Sequence, residues 1–219
     1  MASSNHKRGD KEAAVDKILD AALTLFSRRG FRATAIRDIA ARAGVSTGNV
    51  YHHFGSKDRV FEHLVEHYWD KLRDPDLELN KLFASPRFPD DLEAIGRGVE
   101  QIVDQHLPYI KLIYVDVIEF QGKHIHDFYR TMHERFARAY GPALEQATRE
   151  GRFGDIDPLM GVMVAVRWFF YYFTVEKAFG VPQHLGLETS AVSEQFVKIL
   201  RYGVLARGEP AAAAQGPRA

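Results

Sequence analysis

The segment from Ala35 to Phe54 constrains the fold of this chain more than any other stretch of its sequence. Ile36 and Ile39 lie three positions apart, which places them on one face of a helix. Gly44 favours the left-handed conformation that ends a helix without steric cost. Ser46 is a residue type that commonly caps the start of the next helix. The segment therefore predicts a helix-turn-helix, two short helices joined by a tight turn.

The second of these helices separates apolar from polar positions. The inward positions are Val50, Tyr51 and Phe54, and the remaining faces carry Thr47, Gly48, Asn49, His52 and His53. A short helix with small polar residues at its start can enter a DNA major groove when a compact partner holds it. An ordinary helical hairpin inside a larger helical domain is the alternative interpretation.

The flanking segments favour the DNA-binding interpretation. Residues 16–29 form an amphipathic pattern that ends at Gly30, a typical helix stop. A polar start at Ser56 opens a further helix, predicted over Lys57 to Leu72. Three helices with a helix-turn-helix as the second and third make a complete small DNA-binding domain.

The run from Ile18 to Leu64 resembles the N-terminal domain of TetR/AcrR-type transcriptional regulators. The positions that match that family's pattern are Gly30, Phe31, Thr34, Ile36, Ile39, Ala40, Ala43, Gly44, Val45, Ser46, Gly48, Val50, Tyr51, His53, Phe54 and Lys57. The resemblance covers about the first third of the chain. It implies a DNA-binding regulator, by default a repressor and not an enzyme, that a small-molecule effector controls.

The charge distribution agrees with a DNA-binding N-terminal end. The chain has 29 basic and 29 acidic residues, and its formal net charge is zero. Residues 1–60 nevertheless carry 11 Lys or Arg and 6 Asp or Glu, a balance of +5, which leaves −5 for the rest. A basic end on an acidic body is expected when only one end meets phosphate.

The predicted DNA contacts fall into two groups. The candidates for base edges are Thr47, Asn49 and His52, since Asn can pair with adenine and Thr can touch a thymine methyl group. Ser46 caps this helix, and Gly48 allows its backbone to come close to DNA. The candidates for phosphate contacts are Thr34, Tyr51, His53 and Lys57. The family resemblance supports this role for Thr34, Tyr51 and Lys57. For Tyr51, packing of the ring in the domain core is the alternative.

The whole chain is predicted to be all-α, with four segments. Residues 1–14 are a flexible arm, which either adds phosphate contacts or is a solvated tail. Residues 15–60 form the DNA-binding domain, residues 61–207 a larger helical domain for ligand binding and dimerisation, and residues 208–219 a disordered tail. Predicted helices of the larger domain cover residues 91–106, 108–120, 124–150, 158–179 and 189–206, and Gly141–Pro142 introduces a kink into the third.

The last two long helices are predicted to form a homodimer. Residues 160–179 are apolar on nearly every face, so the helix needs cover on all sides. Core on one face and a partner subunit on the other would supply that cover, and complete burial within one subunit is the alternative. The resemblance implies dimerisation through helices 158–179 and 189–206. A two-fold dimer would read a palindromic operator of two half-sites.

The middle helices are predicted to enclose a pocket for a small, largely apolar or aromatic effector. Its candidate lining residues are Tyr109, Tyr114, Phe120, His124, Phe128, Arg167, Trp168, Tyr171 and Tyr172. Arg167 lies in an apolar helix, so it needs a partner, either Glu119, Asp116 or an acidic ligand. The resemblance implies that helix 57–72 transmits effector binding to the DNA-binding domain.

Other classes of function find little support. His63 and His67 have a usable zinc spacing, but the sequence places no third ligand, so we expect no metal and no cofactor. The chain has no cysteine, no P-loop and no nucleophile elbow. The apolar run over residues 160–173 is shorter than the roughly 20 residues that span a bilayer, so we expect a cytoplasmic protein without a membrane segment.

Overall fold

The computed structural model describes residues 2–84, 86–153 and 155–202, with side chains from Ala13 onward. Over those ranges the chain contains ten α-helices, one π-helical turn and no strand, which confirms the predicted all-α class. The helices are α1 (Ala2–Arg29), α2 (Ile36–Ala43), α3 (Thr47–Phe54), α4 (Lys57–Leu72), α5 (Glu78–Ala84), α6 (Leu92–Gln105), α7 (Leu107–Phe120), α8 (His126–Arg149), α9 (Pro158–Phe173) and α10 (Thr189–Tyr202).

Local capping explains most of these boundaries. The Ser46 and Ser56 hydroxyls accept hydrogen bonds from the backbone N–H groups of Asn49 and Arg59, at 3.1 and 3.2 Å, and so start α3 and α4. Asp157 caps α9 in the same way, ahead of a proline at the first helical position. Each such cap contributes about 1 kcal/mol.

The first four helices share one apolar core. Its fully buried side chains are Ile18, Ala22 and Phe26 from α1, Ile39 from α2, Val50 from α3, and Val60, Phe61 and Leu64 from α4. Each large apolar side chain buried in this way contributes roughly 1.5–3 kcal/mol. The start of α4 therefore belongs to the core of this N-terminal domain, and Tyr68 in its C-terminal half stacks on Tyr109 of α7.

Helix α6 lies closely against α9 in the larger domain. A Cβ atom added to Gly96 would come within 2.9 Å of the Phe169 ring, so only glycine permits this approach. Phe169 is itself fully buried, as are Ile95 and Val99 of α6. The buried faces of α6 and α9 thus form the centre of the domain.

Several boundaries differ from the sequence predictions. Helix α1 begins at Ala2, so residues 2–14 are helical in this structure, where a flexible arm was predicted. The helix formers Lys11, Glu12, Ala13 and Ala14 favour the last part of this extension. Helix α8 runs through Pro142 as one element, and α9 continues as a π-helical turn over Thr174–Ala178. Helix α10 is described to Tyr202, and residues 203–206 and the predicted tail 208–219 lie outside the described residues.

One helix meets the length and composition of a membrane span. The continuous segment Pro158–Ala178 has 21 residues and a mean hydropathy of 1.3, so it is longer than the apolar run expected from the sequence. Core helices of folded proteins meet the same two criteria. Its buried residues, Val162, Ala165 and Phe169 among them, pack against α6 and α8.

Candidate nucleic-acid interface

The two helices α2 and α3 form the predicted helix-turn-helix. Gly44 adopts a left-handed conformation with φ of 68°, and the Val45 N–H donates to the Ala40 carbonyl at 3.0 Å. The buried side chains Ile39 and Val50 join the two helices beneath the turn. The turn is therefore rigid, and it fixes the direction in which α3 leaves the domain.

The outer face of α3 is open to solvent. Thr47, Gly48 and His52 are exposed, and Asn49 and His53 are half-buried. Tyr51 is also exposed, with 54% of its surface accessible, so its ring lies outside the domain core. This face therefore presents hydroxyl, amide, imidazole and phenol groups, all of which can hydrogen-bond to DNA.

Three residues predicted to contact DNA have structural roles. The Ser46 hydroxyl caps α3, as expected. Thr34 is only 1% exposed, and its hydroxyl donates to the Gly30 carbonyl at 2.8 Å. The Lys57 ammonium donates to the Phe31 and Thr34 carbonyls, both at 2.8 Å, which leaves one of its three N–H groups for another acceptor.

Exposed basic side chains that were not singled out from the sequence lie at the end of α1, in the turn after it and on α2. Arg28, Arg29, Arg32, Arg37 and Arg42 are all exposed. Arg37 at the start of α2 keeps 84% of its side chain accessible, and its nearest carboxylate is Asp38 at 3.8 Å. The sequence indicated these arginines only through the excess of positive charge in residues 1–60. That excess does not identify which of them lie at the surface.

The nine predicted pocket residues are spread over several separate groups of aromatic contacts. Tyr109 stacks on Tyr68 with ring centroids 5.3 Å apart, and Phe128 stacks on Trp69 at 4.0 Å. Trp168 stacks on both Tyr172 and Phe196. Tyr114 contacts Phe179, and the rings of Phe120 and His124 both contact Phe61. Tyr171 is exposed. Apolar rings in a helical bundle gain by packing on one another, so dense aromatic sequence does not by itself indicate a cavity.

Arg167 does not pair with either carboxylate that the sequence analysis considered. Asp116 is buried and binds His124, and Glu119 accepts hydrogen bonds from the backbone of the DNA-binding domain. The Arg167 side chain is exposed, contacts Met132 Sδ at 3.7 Å and lies 5.7 Å over the Tyr129 ring. An exposed arginine keeps its hydration, so it needs no carboxylate partner.

Tyr68 is a buried polar residue that sequence reasoning missed. Its hydroxyl has no hydrogen-bond partner among the described residues, and burial raises its pKa. It lies on α4 against Tyr109 of α7, close enough to Tyr129 for the two phenols to interact electrostatically. A tyrosine on the apolar face of an amphipathic helix gives no sequence signal that its hydroxyl will lack a partner.

A cleft of about 390 Å³ opens between α6, α9 and α10. Its apolar part is formed by Phe169, Phe173 and Val197, none of which was among the nine predicted pocket residues. Charged side chains at its edge pair with each other, such as Arg201 with Glu93 at 2.9 Å. The cleft therefore offers an apolar surface without a strong charge preference.

The described residues contain no cluster of three or more potential metal ligands. His63 Nδ1 lies 3.0 Å from the Arg59 carbonyl on its own helix, and the His67 ring packs beside Tyr109. Burial lowers the pKa of His67, which favours its neutral form. Both histidines thus have contacts of their own, His63 within α4 and His67 with α7.

The segment that contains these helices is similar to known bacterial regulatory proteins. Residues 18–64 match the family model described as bacterial regulatory proteins, tetR family. The HTH-type transcriptional repressor KstR2 of Rhodococcus jostii (strain RHA1) is 29% identical over 161 residues, covering 70% of this chain and 78% of that protein.

Two solved structures share the fold over most of the chain. The probable transcriptional regulatory protein RHA5900 is 27% identical, with a TM-score of 0.56 over 88% of this chain and 99% of that one. AibR, solved in complex with isovaleryl coenzyme A and operator DNA, is 17% identical, with a TM-score of 0.59 over 86% and 98%. The fold therefore extends beyond the residues that the family model matches.

Proposed function

We propose that this chain, a TetR-type helix-turn-helix regulator, acts as a homodimeric repressor that leaves a palindromic operator when a small, largely apolar or aromatic ligand binds. Such regulators are DNA-binding proteins and not enzymes, and its relatives are named transcriptional repressors. The observation that carries the proposal is the open outer face of α3, held by the tight turn after α2 on the apolar core that α1 to α4 share.

We assign base reading to the exposed side of α3. Thr47, Asn49 and His52 are its base-contacting residues, and Gly48 lets the helix backbone approach the groove. Tyr51, His53 and the remaining N–H of Lys57 bind phosphate, and Thr34 acts by holding the turn that Lys57 binds. We place the DNA-binding domain at residues 15–64, since the boundary at residue 60 expected from the sequence would divide the core that contains Phe61 and Leu64, and the effector and dimerisation domain follows it.

We infer a dimer through α9 and α10 from the apolar side chains that these helices leave exposed. Met160, Val164 and Tyr171 of α9 are 56, 43 and 62% exposed, and they recur at intervals of four and seven residues, along one side of the helix. Ile199 and Tyr202 extend the apolar surface onto α10. A second copy of this surface, related by a two-fold axis, would cover it.

We place the effector between α4, α7, α8 and α9, where the stacked rings of Tyr68, Tyr109 and Phe128 lie. The unpartnered Tyr68 hydroxyl would accept or donate a hydrogen bond to it, and the exposed Arg167 suits an acidic group at the edge. AibR provides an example of this fold with an acyl coenzyme A and operator DNA bound together. As a DNA-binding regulator, the protein acts in the cytoplasm.

Selection of bound DNA from a random duplex pool tests the proposal. We expect a palindromic site whose affinity falls steeply as salt increases, because phosphate contacts release counterions. That site then serves as the probe in a screen for small molecules that release the protein. Failure to enrich any sequence, together with no binding at low salt, would overturn the proposal.

A further inference from the structure

A carboxylate joins the end of α7 to the turn between α1 and α2. Glu119 Oε1 accepts a hydrogen bond from the Phe31 N–H at 2.8 Å, and Oε2 accepts one from the Arg32 N–H at 2.7 Å. The Glu119 side chain is only 15% exposed, so water competes little for these oxygens. Hydrogen bonds to an ionised acceptor are stronger than neutral ones. The pair therefore fixes this turn to the larger domain.

The turn is shaped to receive that carboxylate. Gly30 has a φ of +84°, a conformation that side chains disfavour, and a Cβ atom added to it would lie 2.6 Å from Glu119 Oε1. Two features therefore favour glycine at position 30: its positive φ, and the close approach of the Glu119 carboxylate. The exposed Arg32 side chain adds only a weak ion pair, at 3.9 Å.

Aromatic packing surrounds the same junction. The Phe120 ring lies 4.6 Å from that of Phe31 and 4.7 Å from that of Phe61, so α7 contacts both α4 and the turn. On the other side, the Lys57 ammonium binds the Phe31 carbonyl and lies 4.1 Å over its ring. The turn is therefore held by α4 and by α7 independently.

The end of α7 that carries Glu119 is itself rigid. Asp116 is fully buried, and its Oδ1 lies 2.5 Å from Nδ1 of His124, just after the helix. Its Oδ2 accepts hydrogen bonds from the backbone N–H groups of His124 and Ile125, at 3.2 and 3.3 Å. These contacts close the connection between α7 and α8, so a displacement of that connection moves Glu119 with it.

We propose that Glu119 is a positioning residue that couples the effector domain to the helix-turn-helix through the turn at residues 30–34. This inference rests on the proposed function. Helix α2 begins at Ile36, directly after the turn, so a shift of α7 must either break both hydrogen bonds or carry α2 with it. The resemblance to TetR-type proteins implied α4 as the connection. Glu119 supplies a second connection between the two domains. Both connections contact Phe31, α4 through Lys57 and α7 through Glu119.

Hydrogen exchange on the full chain tests this coupling without knowledge of the effector. The variants are Glu119→Ala, Glu119→Gln and, as a control, Glu134→Ala, whose carboxylate is exposed on α8. In the DNA-free protein we expect the amides of residues 31 and 32 to exchange about tenfold faster or more in Glu119→Ala, because a hydrogen bond to a charged group contributes at least that factor. Glu119→Gln, which keeps one acceptor oxygen, should be intermediate.

The selected operator duplex then serves as the probe of coupling. In the wild-type protein, DNA should slow exchange both in the DNA-binding domain and at the end of α7, since linkage between two sites is reciprocal. We expect Glu119→Ala still to bind DNA, with the slowing confined to the DNA-binding domain. If Glu119 had only a structural role, its replacement would lower the free energy of unfolding, and DNA would still slow exchange both in the DNA-binding domain and at the end of α7.

Two results would overturn the inference. Unchanged exchange at residues 31 and 32 would show that the contact contributes nothing in solution. Protection of α7 by DNA that persists in Glu119→Ala would show that coupling takes another route. If Glu119→Ala fails to fold, Glu119→Gln decides the same two points. If the wild-type protein binds no DNA, the proposed function fails, and exchange in the free protein still tests the Glu119 contact.

Discussion

The ammonium group of Lys57 binds Phe31 twice, donating to its carbonyl oxygen at 2.8 Å and lying 4.1 Å over the centre of its ring. A second hydrogen bond reaches the Thr34 carbonyl. Lys57 starts α4, and Phe31 lies in the turn that precedes α2. The lysine side chain thus closes the DNA-binding domain by joining its first turn to its last helix.

Replacement of this lysine should therefore affect folding as well as DNA binding. In Lys57→Met we expect the free energy of unfolding to fall by about 2 kcal/mol, because two carbonyls lose their donor. We also expect the slope of log affinity against log salt to decrease by about one, from loss of the remaining phosphate contact. Arg59→Ala, which removes an exposed basic side chain two positions on, is the control for unfolding in urea. An unchanged free energy of unfolding in Lys57→Met would contradict this role.

The exposed imidazole of His52 should contribute to sequence recognition. We expect His52→Ala to weaken binding to the selected operator by about 1–3 kcal/mol and to relax the preference at one base pair in each half-site. His133→Ala, which removes an exposed histidine from α8, should bind as the wild type does. Repeating the pool selection with both variants measures the change. Identical selected sequences and affinities for all three proteins would exclude His52 as a base contact.

Dimer formation should depend on the exposed side of α9. Val164→Glu places a charge in the middle of the surface formed by Met160, Val164 and Tyr171, where burial against a second copy would desolvate it. We expect a folded monomer in sedimentation equilibrium. Ile118→Glu changes a side chain that is 78% exposed on α7, and this control should remain dimeric. A dimeric Val164→Glu protein would place the interface elsewhere.

The buried carboxyl of Asp91 should make stability depend on pH. Burial raises the pKa of Asp91 above its ordinary 3.8, and its Oδ1 has no partner among the described residues. The folded state thus binds this proton more tightly than the unfolded state. Its ionisation costs stability at neutral pH, and the cost disappears as pH falls through the folded pKa toward 3.8.

Asp91→Asn should remove that cost, because the amide is neutral and its oxygen can still accept the Arg87 N–H. We expect the variant to gain about 1 kcal/mol over the wild type at pH 7, and the gain to shrink as pH falls. Urea unfolding across this pH range measures it. Asp90→Asn, which alters the exposed carboxylate next in sequence, loses only a surface ion pair with Arg152. A lower stability of Asp91→Asn at pH 7 would contradict the prediction.

Short-range sequence signals located the boundaries of α2, α3 and α4 closely. Gly44 ends α2 through its own backbone conformation, and Ser46 and Ser56 start α3 and α4 by binding a backbone N–H three residues away. These helix boundaries therefore depend almost entirely on residues that are close in sequence. The start and end of α4 were predicted to the residue for the same reason. Helical periodicity predicted which residues of α3 face outward. It also placed Tyr51 inward, whereas the structure exposes the Tyr51 ring.

Long-range contacts could not be predicted in this way. Glu119 reaches Phe31 across 88 positions, whereas from the sequence we expected it in the effector pocket, as a polar group or a partner for Arg167. Whether aromatic residues such as Trp69 and Phe128 enclose a ligand or stack on one another depends on how helices cross, which periodicity does not specify. The same limit applies to Tyr68, whose unpartnered hydroxyl follows from its surroundings in the fold.

The central claim, that two copies of the chain read one palindrome, is tested most directly by the stoichiometry of the protein–operator complex. Sedimentation of the complex on the full selected duplex and on a duplex with one half-site gives both mass and affinity. We predict two chains on the full duplex and a large loss of affinity when one half-site is scrambled, because a two-fold dimer contacts both. One chain per duplex, with equal affinity for the full site and the single half-site, would contradict the account.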